Sequence, residues 1–285
     1  MSDTTTKRIT LYAAVVSPLY LHLLPRTPSS DHKQDSPFPH RVRLALEEAK
    51  ATYDVIWIDL VDKPEWYEKK VYPGEGRVPY LVYGGPALSA DEAPSGDAVG
   101  LPDSLVILEF LADLFPAARL LPVDPVRRAQ ARLFAAHFVE KTLLPAWFPS
   151  VFMGAPTDGL FAVLDELQRR LDAEPEGGFL FGEWSVADAA VLPILLRMEH
   201  IWRLKPFTLR EGEADRALET WNSPRFARLR QYVEDNKKRE SVAKTWDEAR
   251  LAADVERNFA RRIDRFKRTG VINSDLRLPV PAGQE

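Results

Sequence analysis

A change in the pattern of apolar residues near residue 120 restricts what this chain can fold into, because strands and helices alternate before it and only helices follow. Short β-rich segments predict strands, and longer segments with apolar residues every three or four positions predict helices. The strand-like segments are 7–13, 52–60 and 77–85, and the helical ones are 36–50 and 103–115. The glycine- and proline-rich stretch 85–102 predicts a loop.

Beyond Pro116, Pro122 and Pro125 the pattern is helical almost to the end of the chain. The clear helical segments are 126–144, 159–173, 185–199, 224–236 and 246–268. In the third of these, Ser185 and Asp188 have the spacing of a capping box, which is a folding device. The expected architecture is an α/β domain over residues 1–120 and an all-helical domain over residues 121–285.

The composition excludes several classes of function. The 285 residues carry a net charge of -4, which gives no general attraction to nucleic acid or acidic membranes. No apolar run approaches the ~20 residues that span a bilayer, and the first ten residues lack a secretory signal. We therefore expect a cytoplasmic protein. The chain has no cysteine and five scattered histidines, so we expect neither thiol chemistry nor a metal site.

Three short motifs could form one binding site. Ser36 begins a helix, whose amino-terminal N–H groups favour an anion. Val78-Pro79 opens a strand, and a cis bond there would turn the backbone of Val78 toward an extended ligand. Asp103 and Ser104 begin a second helix and add a carboxylate that suits an ammonium group. Each motif also has a structural interpretation, since both serines could be simple caps and most X–Pro bonds are trans.

Five stretches, in this order, resemble a cytosolic glutathione transferase. They are SPFPHRVRLAL, DKPEWYEKK, GRVPYL, PDSLVILEFLADLFP and FGEWSVADAAVLP. The stretch KPEWYEKK is similar to the Omega class in particular. The resemblance implies a thioredoxin-like amino-terminal domain, an all-helical carboxyl-terminal domain, a homodimer, and glutathione as the co-substrate.

The resemblance also implies which residues bind glutathione. Lys63 matches a lysine that contacts glutathione in the Omega class. Val78, before a cis Pro79, would pair with the cysteinyl backbone of the ligand. Asp103 and Ser104 would hold the ammonium and carboxylate of the γ-glutamyl group, although Omega members usually have Glu at the position of Asp103.

Ser36 stands at the catalytic position, and there the sequence departs from the Omega pattern of a cysteine before Pro-Phe. A cysteine supports thiol transfer through mixed disulfides, which a serine cannot form. The Ser36 hydroxyl could instead stabilise the glutathione thiolate for attack on an electrophile, with Phe38 flanking the site. This resembles the serine-bearing, Omega-like transferases of fungi, which are associated with binding plant-derived aromatic compounds.

A second departure is the atypical segment 14–35, since family members run almost directly from the first strand into the helix of Ser36. Removing residues 16–34 leaves a normal family junction. We favour the hypothesis of a translated short intron over a genuine insertion beside Ser36. Sequencing the transcript across this junction distinguishes the two.

Aromatic residues of the helical half are the candidates for an electrophile pocket, although an aromatic residue at helical spacing is more often a core residue. They are Phe134, Phe138, Trp147, Phe148, Phe152 and Trp202. The predicted function is conjugation of glutathione to hydrophobic, aromatic electrophiles. The alternatives are a carrier of aromatic metabolites with little turnover and a structural or regulatory family member with a protein partner.

Overall fold

The computed structural model describes residues 6–15, 36–60, 63–152, 154–175, 178–205 and 209–249. Contacts within this part of the chain form two compact units. The first unit contains the residues up to Leu120 and, in addition, the residues from Glu240 onward, whereas Leu121–Arg239 forms the second unit. The atypical segment is outside the described residues from position 16 to 35, and so is the predicted helical segment 246–268 from position 250 onward.

A four-stranded mixed sheet forms the centre of the first unit. Its strands are β1 (Ile9–Val15), β2 (Asp54–Asp59), β3 (Tyr80–Tyr83) and β4 (Val99–Pro102), in the spatial order β2-β1-β3-β4. β1 and β2 are parallel, and both β3 and β4 pair antiparallel to their neighbours. This arrangement, with helices packed on the sheet, confirms the predicted thioredoxin-like domain.

Strand β4 corrects the prediction of a loop over residues 85–102. The tetrapeptide Val-Gly-Leu-Pro contains two residues that are rare in strands, and it lies at the edge of the sheet with its side chains only partly covered. Gly100 is required there, because a Cβ atom at this position would lie 1.7 Å from the hydroxyl oxygen of Tyr80. Pairing with β3, rather than local preference, creates this strand.

Two α-helices and a π-helical turn from the first 120 residues pack on the sheet. α1 (Pro37–Glu48) and α2 (Ser104–Leu114) pack against each other, and both begin where the sequence predicted. On the other face of the sheet, a π-helical turn at Tyr67–Val71 buries Tyr67 against Tyr12 of β1, with ring centroids 5.5 Å apart. Alternation along β1 therefore assigns Tyr12 to this face and Leu11 to the opposite one.

The short helix α9 (Glu240–Thr245) returns the chain to the first unit and packs on α1. The Nε2 atom of the buried His40 lies 3.0 Å from the hydroxyl oxygen of Thr245, and the His40 ring stacks on Trp246. The hydroxyl of Ser241 donates to the carboxylate of Glu48. The helix that begins at Ser36 is thus fixed along its length by residues two hundred positions later in the sequence.

The second unit is helical throughout its described residues, as predicted, apart from short connections. Its helices are α3 (Pro125–Leu133), α4 (Leu144–Phe152), α5 (Asp158–Asp172), α6 (Val186–Leu204), α7 (Glu213–Asn222) and α8 (Ala227–Lys237), and a π-helical segment at Phe134–Leu143 joins α3 to α4. The segment 126–144, predicted as one helix, is therefore part of a longer helical stretch whose middle is π-helical. No helix in the described part of the chain is long and apolar enough to cross a membrane.

Helix α6 is buried along most of its length and begins with the predicted capping box. The side chain of Ser185 accepts a hydrogen bond from the backbone of Ala187, while the carboxylate of Asp188 accepts one from the backbone N–H of Ser185 at 2.9 Å. Asp188 also accepts hydrogen bonds from the hydroxyl of Tyr232 and from the backbone of Leu180. One carboxylate thus joins the start of α6 to α8 and to the preceding turn.

Candidate functional site

Two of the three predicted motifs lie together at one end of the sheet, where β3 begins and β4 ends. Tyr12 in the middle of β1 pairs with Tyr80 at the start of β3, and Tyr80 pairs in turn with Pro102 at the end of β4. Val78-Pro79 immediately precedes Tyr80, and Asp103-Ser104 immediately follows Pro102. The register of the sheet therefore places these two dipeptides beside each other.

Helix α1 connects the third motif to the same place. Arg41, just over one turn beyond Ser36, donates a 3.1 Å hydrogen bond from Nη1 to the hydroxyl oxygen of Ser104. Since Ser104 is the first residue of α2, this bond joins the amino-terminal turns of the two helices. The three separated motifs thus lie around one end of the sheet.

Ser36 is the N-cap of α1. Its backbone is extended, and its half-buried hydroxyl oxygen accepts a 3.4 Å hydrogen bond from the N–H of Phe38. Pro37 occupies the first helical position, where the missing N–H costs nothing. The positive end of the helix dipole is therefore directed at the Ser36 hydroxyl, which suits a ligand atom with negative charge.

Asp103 is held in an unusual backbone conformation. Its φ angle of +69° lies in the region that non-glycine residues rarely adopt. Its Oδ1 atom accepts hydrogen bonds from the N–H groups of Leu105 at 2.8 Å and Val106 at 3.3 Å, which caps α2. Strained residues of this kind cluster at ligand sites, and this outlier lies where the sequence predicted a ligand contact.

Arg41 is the part of this site that the sequence analysis missed. Its side chain is completely buried, and its guanidinium carbon lies 5.0 Å from the centroid of the Phe38 ring. The signal that could have identified it is a charged residue on the apolar side of α1, next to Val42 and between buried positions. A buried arginine is rare unless its charge has a specific use.

The predicted lysine, Lys63, forms an ion pair with a neighbouring carboxylate. The Nζ atom of Lys63 is 2.8 Å from a carboxylate oxygen of Glu68, and about a fifth of its side chain is exposed. Binding a glutathione carboxylate there would exchange one negative partner for another. The contact of Lys63 with glutathione stays a prediction, with Glu68 as the competing partner.

The peptide bond between Val78 and Pro79 is cis, as the resemblance implied. The hydroxyl of Tyr67 donates a 2.6 Å hydrogen bond to the carbonyl oxygen of Arg77, which fixes the chain just before this bond. Burial raises the pKa of Tyr67, and raises that of neighbouring Tyr12 to about 12. Both phenols therefore stay protonated at neutral pH and act as neutral groups.

Two of the predicted pocket residues line a cavity within the second unit. Phe134 and Phe138 stack with ring centroids 4.9 Å apart, and both contribute to a cavity of about 630 Å³. The guanidinium of Arg170 lies over both rings, 5.3 and 5.8 Å from their centroids. Phe181 packs edge-on against Phe134. This cavity combines aromatic faces with two ion pairs, Arg170–Glu166 and Arg127–Glu174.

The other aromatic candidates lie elsewhere. Trp147 is buried and packs edge-on against Phe148, and neither residue lines that cavity. Trp202 is completely buried between Phe161 and Trp221, so it is a core residue. The Phe152 side chain is outside the described part of the structure. The described residues contain no group of three or more potential metal ligands.

Two protein-family models match this chain, and several solved structures are similar to it. Residues 35–114 match the family described as "Glutathione S-transferase, N-terminal domain", and residues 157–235 match the corresponding C-terminal domain. Glutathione transferase Omega 1C from Trametes versicolor is 38% identical, with a TM-score of 0.75, and the match covers 89% of this chain and 97% of that one.

Two further relatives extend this picture. Omega 2S from Trametes versicolor is 36% identical, and its crystal structure in complex with 2,4-dihydroxybenzophenone has a TM-score of 0.74, covering 90% of this chain and 100% of that one. The curated "Protein IN2-1" from Zea mays is 28% identical over 227 residues, which is 78% of this chain and 81% of that protein.

Proposed function

This chain belongs to the glutathione transferase family, and from this premise we propose that it conjugates the glutathione thiolate to hydrophobic, aromatic electrophiles with Ser36 as the catalytic residue. The bond formed is between the glutathione sulfur and an electrophilic carbon, and the leaving group departs with the bonding electron pair. The thiol proton passes to solvent. No protein thiol takes part, since the chain has no cysteine.

The proposed role of Ser36 is to stabilise the thiolate. A free thiol has a pKa of ~8.5, so only a few per cent is ionised at neutral pH. A hydroxyl that donates to the sulfur, at the positive end of a helix, favours the thiolate over the thiol. Its position as the N-cap of α1 supports this role.

The proposed glutathione contacts surround the same end of the sheet. The backbone of Val78, before Pro79, pairs with the cysteinyl unit of the ligand, while Asp103 holds the γ-glutamyl ammonium and Ser104 the carboxylate. The observation that carries this proposal is the sheet register together with the hydrogen bond from Arg41 to Ser104, which join three motifs from distant parts of the sequence.

Two side chains complete the proposed glutathione site. Phe38 flanks the ligand beside Ser36. Lys63 exchanges its bond to Glu68 for a carboxylate of glutathione. Because this pair is partly exposed, the exchange costs little, as surface ion pairs contribute only about 0–1 kcal/mol.

The electrophile is proposed to bind through Phe134, Phe138, Trp147 and Phe148. The cavity at the first two residues supports an aromatic ligand, because stacked rings and a guanidinium offer both apolar contact and cation–π attraction. Trp147 and Phe148 stay proposals from the sequence.

A second candidate function is a carrier that binds aromatic compounds with little turnover. The observation that favours it is the Omega 2S relative, which was crystallised with 2,4-dihydroxybenzophenone. A homodimer in the cytoplasm, which the family resemblance implies, is proposed for either function.

Calorimetry with glutathione and steady-state conjugation of an activated aryl halide test the proposal together. Saturable glutathione binding with turnover supports the transferase. Binding of a dihydroxybenzophenone without measurable conjugation supports the carrier instead. Absence of glutathione binding contradicts the proposed site.

A further inference from the structure

Arg41 is a buried cation that contacts two of the residues proposed to bind glutathione. Its side chain has no exposed surface, its Nη1 atom donates to the hydroxyl oxygen of Ser104 at 3.1 Å, and its guanidinium lies over the ring of Phe38. These two partners belong to different helices, α2 and α1. One side chain thus contacts both Ser104, which is proposed to bind the γ-glutamyl carboxylate, and Phe38, which is proposed to flank the ligand.

The bond between Arg41 and Ser104 has only one possible direction. A guanidinium has five N–H donors, no acceptor, and a permanent positive charge. The Ser104 oxygen must therefore be the acceptor, and its own hydrogen has to be donated to another group. This leaves the hydroxyl hydrogen of Ser104 available for donation to a ligand.

The charge of Arg41 also selects the kind of group that Ser104 can bind. In a buried environment the field of a positive charge is weakly screened, so it strengthens the adjacent hydroxyl as a donor to an anion and disfavours a cation. The neighbouring Asp103 has the opposite character, because its carboxylate only accepts hydrogen bonds. The pair therefore presents an acceptor for an ammonium next to a donor for a carboxylate.

We propose that Arg41 is a positioning residue whose charge makes the Ser104 hydroxyl selective for the carboxylate of a bound γ-glutamyl group. This inference rests on the proposed function, since glutathione is the ligand through which the subsite acts.

Calorimetry on the full-length protein tests it with two ligands, glutathione and a glutathione whose γ-glutamyl α-carboxylate is a primary amide. The unmodified protein binds glutathione at least about tenfold more tightly, which is the lower range for one hydrogen bond to a charged group. Arg41→Gln keeps an N–H donor but loses the charge, and it lowers this ratio to less than about threefold.

Arg43→Gln is the matched control. Arg43 is on the same helix, is only 5% exposed, and places its guanidinium 5.4 Å from the ring of Trp57, away from Ser104. The Arg43→Gln variant should keep the ratio of glutathione affinity to amide affinity that the unmodified protein has. A folded Arg41→Gln protein, verified by circular dichroism, that also keeps this ratio overturns the proposal.

Ser104→Ala gives an answer even where Arg41→Gln does not fold. It abolishes the preference for the carboxylate if the proposal is correct, and a preserved preference overturns it. Unmodified protein that binds glutathione without discriminating against the amide contradicts this inference alone. Unmodified protein that binds neither ligand contradicts the proposed function as well.

Discussion

The carboxylate of Glu213 accepts hydrogen bonds from both the backbone N–H and the hydroxyl of Thr157, at 2.7 and 2.6 Å. Thr157 is the N-cap of α5, and its own side chain makes no capping bond within that helix. A residue at the start of α7 therefore caps a helix that begins fifty-six positions earlier. Arg216 completes the connection by bonding to both Glu213 and Asp158.

This cap predicts a pH dependence of stability. The hydrogen bonds from Arg216 and then Thr157 lower the pKa of Glu213 from 4.5 to about 2. Because the folded protein holds the ionised form, the contribution is complete above pH 4.5 and is lost as the pH falls toward 2. In urea unfolding from pH 6 to 3.5, the destabilisation caused by Glu213→Gln should stay nearly constant down to pH 4.5 and shrink below it. Glu219→Gln, exposed on the same helix, is the control, and an equal pH trend for both variants contradicts the assignment.

The buried carboxylate of Asp188 predicts a large loss of stability on substitution. Burial raises its pKa to about 6, so it is ionised at pH 8, where it accepts bonds from Ser185, Leu180 and Tyr232. Asp188→Ala removes the cap of α6 and leaves buried donors unpaired, which should cost roughly 2–4 kcal/mol. Urea unfolding at pH 8 measures this cost. Tyr232→Phe removes one donor only and should cost about 1 kcal/mol; a larger loss than Asp188→Ala would place the important contact elsewhere.

Gly100 predicts an effect of close packing in strand β4. Tyr80, which occupies the space where a Cβ would lie, is itself stacked on Tyr72 with centroids 4.5 Å apart, so it has little room to move. Gly100→Ala should destabilise the protein by roughly 1–3 kcal/mol, the usual cost of overpacking. Gly96→Ala is the matched control, because nothing lies within 4 Å of its Cβ position. Equal thermal unfolding of the two variants would disprove the steric argument.

Ser36 gives the prediction that is specific to the proposed reaction. If its hydroxyl and the helix end lower the pKa of the bound thiol by about two units, they stabilise the thiolate by roughly 2.7 kcal/mol. Ser36→Ala should then shift the pH profile of conjugation to higher pH and slow the reaction near neutrality by tenfold or more. Glutathione affinity should change little, because the head-group contacts are elsewhere. Full activity with an unshifted profile would mean that Ser36 is only a cap.

Ser36→Cys should change the kind of reaction. It places a sulfur nucleophile at a helix amino terminus, where a thiolate is favoured. The variant should gain the ability to reduce mixed disulfides with glutathione, measured as thioltransferase activity, which the unmodified protein lacks. Efficient disulfide reduction by the unmodified protein would contradict the role assigned to serine.

The parts of the fold that depend on local signals were predictable from the sequence. The caps at Ser36, Asp103 and Ser185 lie where polar residues precede apolar helical segments, and each one caps its helix in the structure. A helix end is determined by a few adjacent residues, so one short motif is sufficient to locate it. The thioredoxin-like fold itself followed from a family resemblance spread over several such motifs.

The parts that depend on distant partners were not predictable. Strand β4 exists because β3 pairs with it, and nothing in Val-Gly-Leu-Pro indicates a strand. Arg41 could not be placed in the site without knowing that α1 packs on α2, since its hydrogen-bond partner is sixty-three residues away. Phe134 and Phe138 were separated from Trp147 and Phe148 only by the arrangement of the helices around the cavity.

The return of α9 to the first unit has a consequence for biosynthesis. During translation, the ribosome releases the strands, α1 and α2 first, then all of Leu121–Arg239, and only afterwards α9, which packs on α1. The buried surface around His40 must therefore wait for Thr245 before it is covered. A nascent chain or a gene fragment that ends at Leu120 contains every strand of the sheet and the helix of Ser36, yet it leaves one side of that helix bare. The whole helical unit is thus synthesised after α1 and before α9, although these two helices pack on each other.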